Sequence, residues 1–170
     1  MNKIKNQKIL ITGGAGFIGH NLAIFLKTMG ADVHILDSLQ VNNLTSIIGN
    51  EDNLPNPSLS FNVIQERLNL IKTNNIPLII QDARDYHMLS KCVTRIKPDV
   101  VIHLAAVSHA NRSNKDPYST FDHSLRTLEN ALDASKNNIK HFIYFSSSMV
   151  YGNFSSGQVD ENSPCSPLGI

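Results

Sequence analysis

The sequence predicts an α/β fold, a doubly wound parallel sheet, on three observations. Short apolar runs alternate with longer stretches of helical period, the first run leads straight into a cluster of glycines, and another short apolar run follows the helix after it. Alternation of this kind implies parallel strands covered on both faces by crossover helices.

The elements read in order as follows. Residues 8–12 (Lys-Ile-Leu-Ile-Thr) are apolar, bounded by glycine, and read as a buried strand. Residues 16–29 place Phe17, Ile18, Leu22, Phe25, Leu26 and Met29 near helical period, and Gly30 ends that helix. Residues 32–37 form a second strand, which completes a strand, glycine turn, helix and strand unit. Residues 38–75 are loop-rich, punctuated by Asn42, Asn43, Asn50, Asn53, Pro55 and Pro57. One helix is expected there over 59–72, with Val63, Leu68 and Ile71 on its apolar face. A strand at 76–81, a helix at 85–96 and a strongly apolar strand at 99–106 follow, the last entered after Pro98. A long helix over 117–137 carries Phe121, Leu125, Leu128 and Leu132 as one stripe, and a fifth strand spans 141–146. A doubly wound sheet usually gains a sixth strand after this point, so the fold is expected to be incomplete at its C-terminal end.

Bulk properties narrow the possible roles. A chain of 170 residues suits one domain with a real core. With 41% hydrophobic and 17% charged residues it is neither a disordered tail nor a fibrous repeat. A net charge of +1 provides no strong field, so neither nucleic acid nor a membrane is expected as partner. Cys92 and Cys165 lie far apart, with no metal-ligand spacing and no disulfide framework, which fits a reducing cytosol. Residues 1–7 are polar and basic, unlike a signal peptide, and no stretch approaches the roughly 20 apolar residues of a membrane helix. A cytoplasmic location is the expectation, and no metal is expected.

The glycine cluster carries the first chemical signal. Gly13, Gly16 and Gly19 have G-x-x-G-x-x-G spacing, with Phe17 and Ile18 inside it, where a strand turns into a helix. Glycine permits the tight turn, removes the side chain that would block a pyrophosphate, and lets the helix pack close to the strand. The helix start supplies unsatisfied N–H groups and a positive dipole end. In this strand–turn–helix context the pattern indicates a Rossmann dinucleotide site. Asp37 ends the second strand, 18 residues after Gly19. A carboxylate there accepts bonds from the ribose 2′-hydroxyl of NAD and repels the extra phosphate of NADP. Residues 1–170 therefore read as an NAD-binding Rossmann domain, incomplete at its C-terminal end.

Four motifs occur in order along the chain. The first is Thr12, Gly13, Gly14, Ala15, Gly16, Phe17, Ile18 and Gly19; the second is Asp82, Ala83, Arg84 and Asp85. The third is His103, Leu104, Ala105 and Ala106; the fourth is Ser146, Ser147, Ser148, Met149, Val150, Tyr151 and Gly152. In these the chain resembles the extended short-chain dehydrogenase/reductase family, the NAD-dependent nucleotide-sugar epimerases and dehydratases. The resemblance implies a nucleotide-sugar substrate in the complete enzyme, transient hydride transfer between sugar and NAD, and a possible homodimer through a helix pair that includes 117–137. Asp82 and Ala83 would flank the adenine, and Leu104, Ala105 and Ala106 would line the cofactor near its riboses. Ser147 would be the catalytic hydroxyl, with Ser148 as second choice, holding a sugar oxygen as a proton moves. His103 is expected to be structural, and Arg112 and Lys115 to be solvated charges rather than phosphate ligands.

Two departures qualify the resemblance. The family's acid–base catalyst is a tyrosine with a lysine four residues later. Here Tyr86, Tyr118, Tyr144 and Tyr151 are followed at that position by Ser90, Asp122, Ser148 and Ser155. The resemblance places the missing tyrosine immediately after Ile170. It therefore implies that residues 1–170 are the N-terminal part of the NAD-binding Rossmann domain, with the substrate domain absent, catalytically incomplete alone and binding NAD weakly or not at all. The family's Asn-Val-x-Gly-Thr stretch reads His123, Ser124, Leu125, Arg126 and Thr127, which puts a long charge where helices often pack closely. Two alternatives stay open at this point: a non-enzymatic dinucleotide-binding redox sensor, and an NAD-dependent reductase of a small carbonyl compound.

Overall fold

Strand β1 (Lys8–Thr12) sits at the centre of a five-stranded sheet in which every neighbouring pair is parallel. The structure is a computed structural model, and it describes residues 4–41, 43–48, 54–107, 115–137, 139–154 and 157–168. From β1 the chain runs through helix α1 (Phe17–Thr28) to β2 (Asp32–Asp37), which pairs with β1 in the register Lys8 to Asp32. The short α2 (Leu44–Ile47) and the long α3 (Pro57–Thr73) lead to β3 (Leu78–Ile80) at one edge. Helix α4 (Tyr86–Ile96) then returns the chain across the sheet to β4 (Val100–His103), on the other side of β1. Helix α5 (Pro117–Ser135) leads to β5 (His141–Tyr144) at the far edge. A single 3-10 turn follows at Ser148–Tyr151.

The resulting strand order is β3-β2-β1-β4-β5, the doubly wound order expected from the sequence. Winding reverses direction between β1 and β4, which opens a crevice at the carboxyl ends of those two strands. Successive side chains of β1 feed two separate cores. Ile9 and Ile11 pack with Val33, Ile35, Ala23, Leu26 and Ile71 on the α1 and α3 face. Leu10 packs with Leu36, Val101, Leu89, Val93 and Ala131 on the α4 and α5 face. Burial on both faces explains why these strands read as continuous apolar runs.

Helix starts follow their sequence signals. Asn56, Asp85 and Asp116 accept the N–H of Leu59, Met88 and Ser119, and Pro57 and Pro117 occupy the first turns of α3 and α5. The buried helix faces differ from the apolar periodicity. In α1 the buried residues are Gly19, His20, Ala23 and Leu26, whereas Phe17, Ile18 and Phe25 are exposed. In α3 Val63 is exposed, and Ile64 and Arg67 are buried beside Ile71. Of the expected α5 stripe, Phe121, Leu125 and Leu132 are exposed and Leu128 is half-buried, whereas Thr127, Ala131 and Ser135 are buried. The reason is common to α1 and α5: close approach of a helix to a sheet selects small residues on the contact face. Arg126 is exposed and does not intrude on that contact. Strands β3, β4 and β5 are also shorter than expected, and α2 interrupts what read as loop.

Candidate functional site

The expected site residues gather on the turns at the carboxyl edge of the sheet. The glycine turn follows β1, Asp37 ends β2, Asp82 and Ala83 follow β3, and Leu104 to Ala106 follow β4. Ser147 and Ser148 follow β5. Asn42, Asn50, Asn53, Arg112, Ser155, Gly169 and Ile170 lie outside the described residues.

Close packing within the fold bears on all four glycines of the turn, severely on three and mildly on the fourth. Gly13 has φ +70, and an added Cβ would meet the Ala105 backbone nitrogen at 2.7 Å. A Cβ on Gly14 would meet the Ile11 carbonyl at 2.9 Å, and one on Gly19 the Gly14 Cα at 2.5 Å. A Cβ on Gly16 would meet only the Gly13 carbonyl, at 3.3 Å. The conflict at Gly16, the N-cap of α1, is therefore the mildest of the four, and this position has no side chain to cap the helix. With no acidic residue in the first turn of α1, its N–H groups are left to whatever lies in front. Phe17 and Ile18, 75% and 56% exposed, flank this opening.

Asp37 fastens the turn from beside it. One carboxylate oxygen accepts the Ala15 N–H at 2.9 Å and the other accepts the Leu39 N–H at 2.7 Å. A carboxylate has about four acceptor positions, so each oxygen retains one for a further donor such as a ribose hydroxyl. Burial pushes the Asp37 carboxyl above its ordinary value, against the lowering effect of the Leu39 and Ala15 N–H groups and of Arg67. The Ala15 carbonyl is held from behind by Asn43 Nδ2 at 3.0 Å and Arg67 Nη1 at 3.2 Å. Sequence reasoning missed both residues. Asn43 read only as loop punctuation and Arg67 gave no signal, because each acts on a partner far away along the chain.

The turn after β3 is organised by Arg84. Its guanidinium bonds Asp82 at 2.6 Å, Asp122 at 2.7 Å and the Gln40 side chain at 2.9 Å, tying β2, β3 and α5 together. Burial works to raise the Asp82 carboxyl, but the bonds and charge of Arg84 outweigh it and hold it below its ordinary value. Asn130 donates to the carbonyls of Ala83 and Arg84 at 3.0 and 2.8 Å. Ala83 is buried.

The turn after β4 is fixed from α5. Thr127 Oγ1 lies 3.1 Å from the Ala105 carbonyl, and Ser124 Oγ accepts the Val107 N–H at 3.1 Å. Leu104 donates its N–H to Thr12, Leu104 and Ala105 are half-buried, and Ala106 is exposed. Small residues here let the turn lie against Gly13. His103 is structural as expected: it is 1% exposed, and its Nδ1 lies 2.7 Å from Thr12 Oγ1. Burial lowers its pKa to about 4, so the ring is neutral at physiological pH. Beyond β5, Ser147 is exposed and caps the 3-10 turn by accepting the Met149 N–H at 3.2 Å; Ser148 is exposed within it.

A reversal point at the sheet's carboxyl edge, a glycine turn opening a helix and an acid closing the second strand define a Rossmann-type α/β protein. More narrowly, the chain belongs to the NAD dependent epimerase/dehydratase family, whose model matches residues 9–169. It is 32% identical over 163 residues to dTDP-D-glucose 4,6-dehydratase of Dictyostelium discoideum, covering 92% of this chain and 32% of that protein. It is 30% identical over 148 residues to the bifunctional UDP-glucose 4-epimerase and UDP-xylose 4-epimerase 1 of Pisum sativum, covering 86% and 38%. The UDP-glucose-4-epimerase of Stenotrophomonas maltophila, solved with NAD and formylated UDP-arabinopyranose, superposes with a TM-score of 0.76 at 26% identity. That match covers 96% of this chain and 44% of the solved one. The chain thus spans well under half the length of the relatives it matches.

Proposed function

We propose that these residues form the NAD-binding portion of a nucleotide-sugar epimerase or dehydratase. The observation that carries the reading is the open start of α1: Gly16 begins it without a side-chain cap, no acid lies in its first turn, and Asp37 holds the preceding Ala15 N–H. In this reading the N–H groups of Phe17, Ile18 and Gly19 at the start of α1 receive the pyrophosphate, with Gly13 and Gly16 shaping the turn. Asp37 accepts the adenosine ribose hydroxyls, Asp82 and Ala83 border the adenine, and Leu104, Ala105 and Ala106 lie along the riboses. The chemistry that bound NAD supplies is reversible acceptance of hydride from a sugar carbon. Ser147, with Ser148 beside it, holds the sugar oxygen from which a proton leaves.

The substrate is a nucleotide sugar, the place of action cytoplasmic, and the assembly a homodimer. The exposed apolar stripe on α5 supports the last of these. The acid–base pair is not supplied by these 170 residues, because none of the four tyrosines has a lysine four positions on. The chain alone should therefore bind NAD weakly and leave UDP-glucose and dTDP-glucose unchanged over hours with NAD present. Measurable epimerised or dehydrated product from the purified chain would contradict this division of labour.

A further inference from the structure

Asn43 is fully buried at the N-cap of α2. A buried amide costs free energy unless its polar atoms find partners. Here both atoms do, on different segments. Oδ1 accepts the Leu44 N–H at 2.8 Å and begins the helix, whereas Nδ2 donates to the Ala15 carbonyl in the glycine turn at 3.0 Å. Capping alone does not select asparagine, because aspartate and serine cap a helix about as well. What asparagine adds is an N–H donor, and that donor is directed at Ala15. Ala15 is in this way gripped on both sides by the segment after β2: Asp37 Oδ2 accepts its N–H at 2.9 Å, and Asn43 holds its carbonyl. The two ends of the grip are tied together. Asp37 Oδ1 accepts the Leu39 N–H at 2.7 Å, and the Leu39 carbonyl accepts the Thr45 N–H at 3.0 Å as well as the Thr45 hydroxyl. Within this circuit Leu39 keeps a left-handed φ of +57, a conformation that leucine rarely adopts unless its surroundings impose it.

We infer that Asn43 is a positioning residue of the dinucleotide site, whose buried amide holds the Ala15 carbonyl inward so that the start of α1 presents N–H groups to the pyrophosphate. The inference rests on the proposed NAD site. Glycine at position 16 leaves the Ala15–Gly16 peptide free to turn. A turn of that peptide would bring its carbonyl oxygen towards the open start of α1, and the partial negative charge of the oxygen repels a phosphate. The N–H groups and the dipole of α1 attract one. Asn43 directs the oxygen into the protein instead, where Arg67 Nη1 also reaches it at 3.2 Å.

The test is titration of the full chain with NAD and with adenosine, followed by amide NMR spectra, for wild type, N43S and N43D. Both variants keep a helix cap and lack the donor. Adenosine shares the adenine and ribose of NAD without its pyrophosphate, so the two ligands together isolate that group. In N43S the affinity for NAD should fall by about fivefold or more, and that for adenosine should stay within about twofold of wild type. In the ligand-free variant the amide signals of Phe17, Ile18 and Gly19 should already be displaced, while those of α4 and β4 keep their wild-type positions. N43D should behave alike, and it takes the place of N43S if the latter does not fold. Wild-type NAD affinity in a folded variant would leave Asn43 as a helix cap alone. Equal loss of both ligands, or displaced signals throughout the spectrum, would make it a scaffold residue; any of these results overturns the inference. Absence of NAD binding by folded wild type would instead overturn the NAD site itself, and the inference with it.

Discussion

Gly13 lies so close to Ala105 that a Cβ on the glycine would stand 2.7 Å from the Ala105 nitrogen. The turns after β1 and β4 therefore touch backbone to backbone at the point where the sheet reverses direction. A substitution there strains both the positive φ and the contact, while a Cβ on Gly16, three residues on, would meet only the Gly13 carbonyl, at 3.3 Å. The two positions should separate stability from binding. Gly13→Ala is expected to destabilise the chain by about 2–4 kcal/mol in urea unfolding. Gly16→Ala should cost less than about 1 kcal/mol and weaken NAD binding about tenfold or more. Equal effects of both variants on stability and binding would remove the distinction between them.

The neutral, buried His103 gives stability a defined pH dependence. Its pKa is about 4 in the folded protein against an ordinary 6.5. Between those values the unfolded chain binds more protons than the folded one, so stability rises with pH across that window. The contribution is complete above about pH 6.5 and is lost as pH falls towards 4, on the order of 3 kcal/mol in all. Urea midpoints at pH 7, 6 and 5 should fall accordingly for wild type and fall less steeply for His103→Gln. Parallel slopes for the two proteins would mean that another group governs acid unfolding.

The exposed α5 stripe predicts self-association. Phe121, Leu125 and Leu132 on α5 are 52%, 47% and 46% exposed. Single exposed apolar residues are ordinary, but a row of them on one helix marks a contact surface. Leu125→Glu should leave the unfolding midpoint nearly unchanged and shift sedimentation from dimer to monomer. A wild type that stays monomeric at about 100 µM, an affinity scale near 5 kcal/mol, would remove the homodimer from the proposal.

Legibility in the sequence followed the range of the interactions involved. The strands and the glycine turn were readable because their signals are local: Ile9, Leu10 and Ile11 are apolar since both faces of β1 are buried. Helix faces were misread wherever tight packing favours small residues, as at Ala23 in α1 and Thr127 and Ala131 in α5. Strand β4 was read too long because Leu104, Ala105 and Ala106 stay small or apolar after sheet pairing has ended at His103. The backing of the site was not legible at all. Asn43 and Arg67 reach Ala15 across 28 and 52 residues, and no local pattern encodes such a meeting.

The central claim, a dinucleotide grip selective for NAD, is tested most directly by titrating the 170-residue chain with NAD and NADP at pH 7.5, with Asp37→Asn as the control. Wild type should bind NAD saturably, with Kd in the range of about 10 µM to 1 mM, and NADP at least about tenfold more weakly. Asp37→Asn should narrow that gap. No saturable NAD binding by the folded chain, or NADP bound as tightly as NAD, would contradict the account.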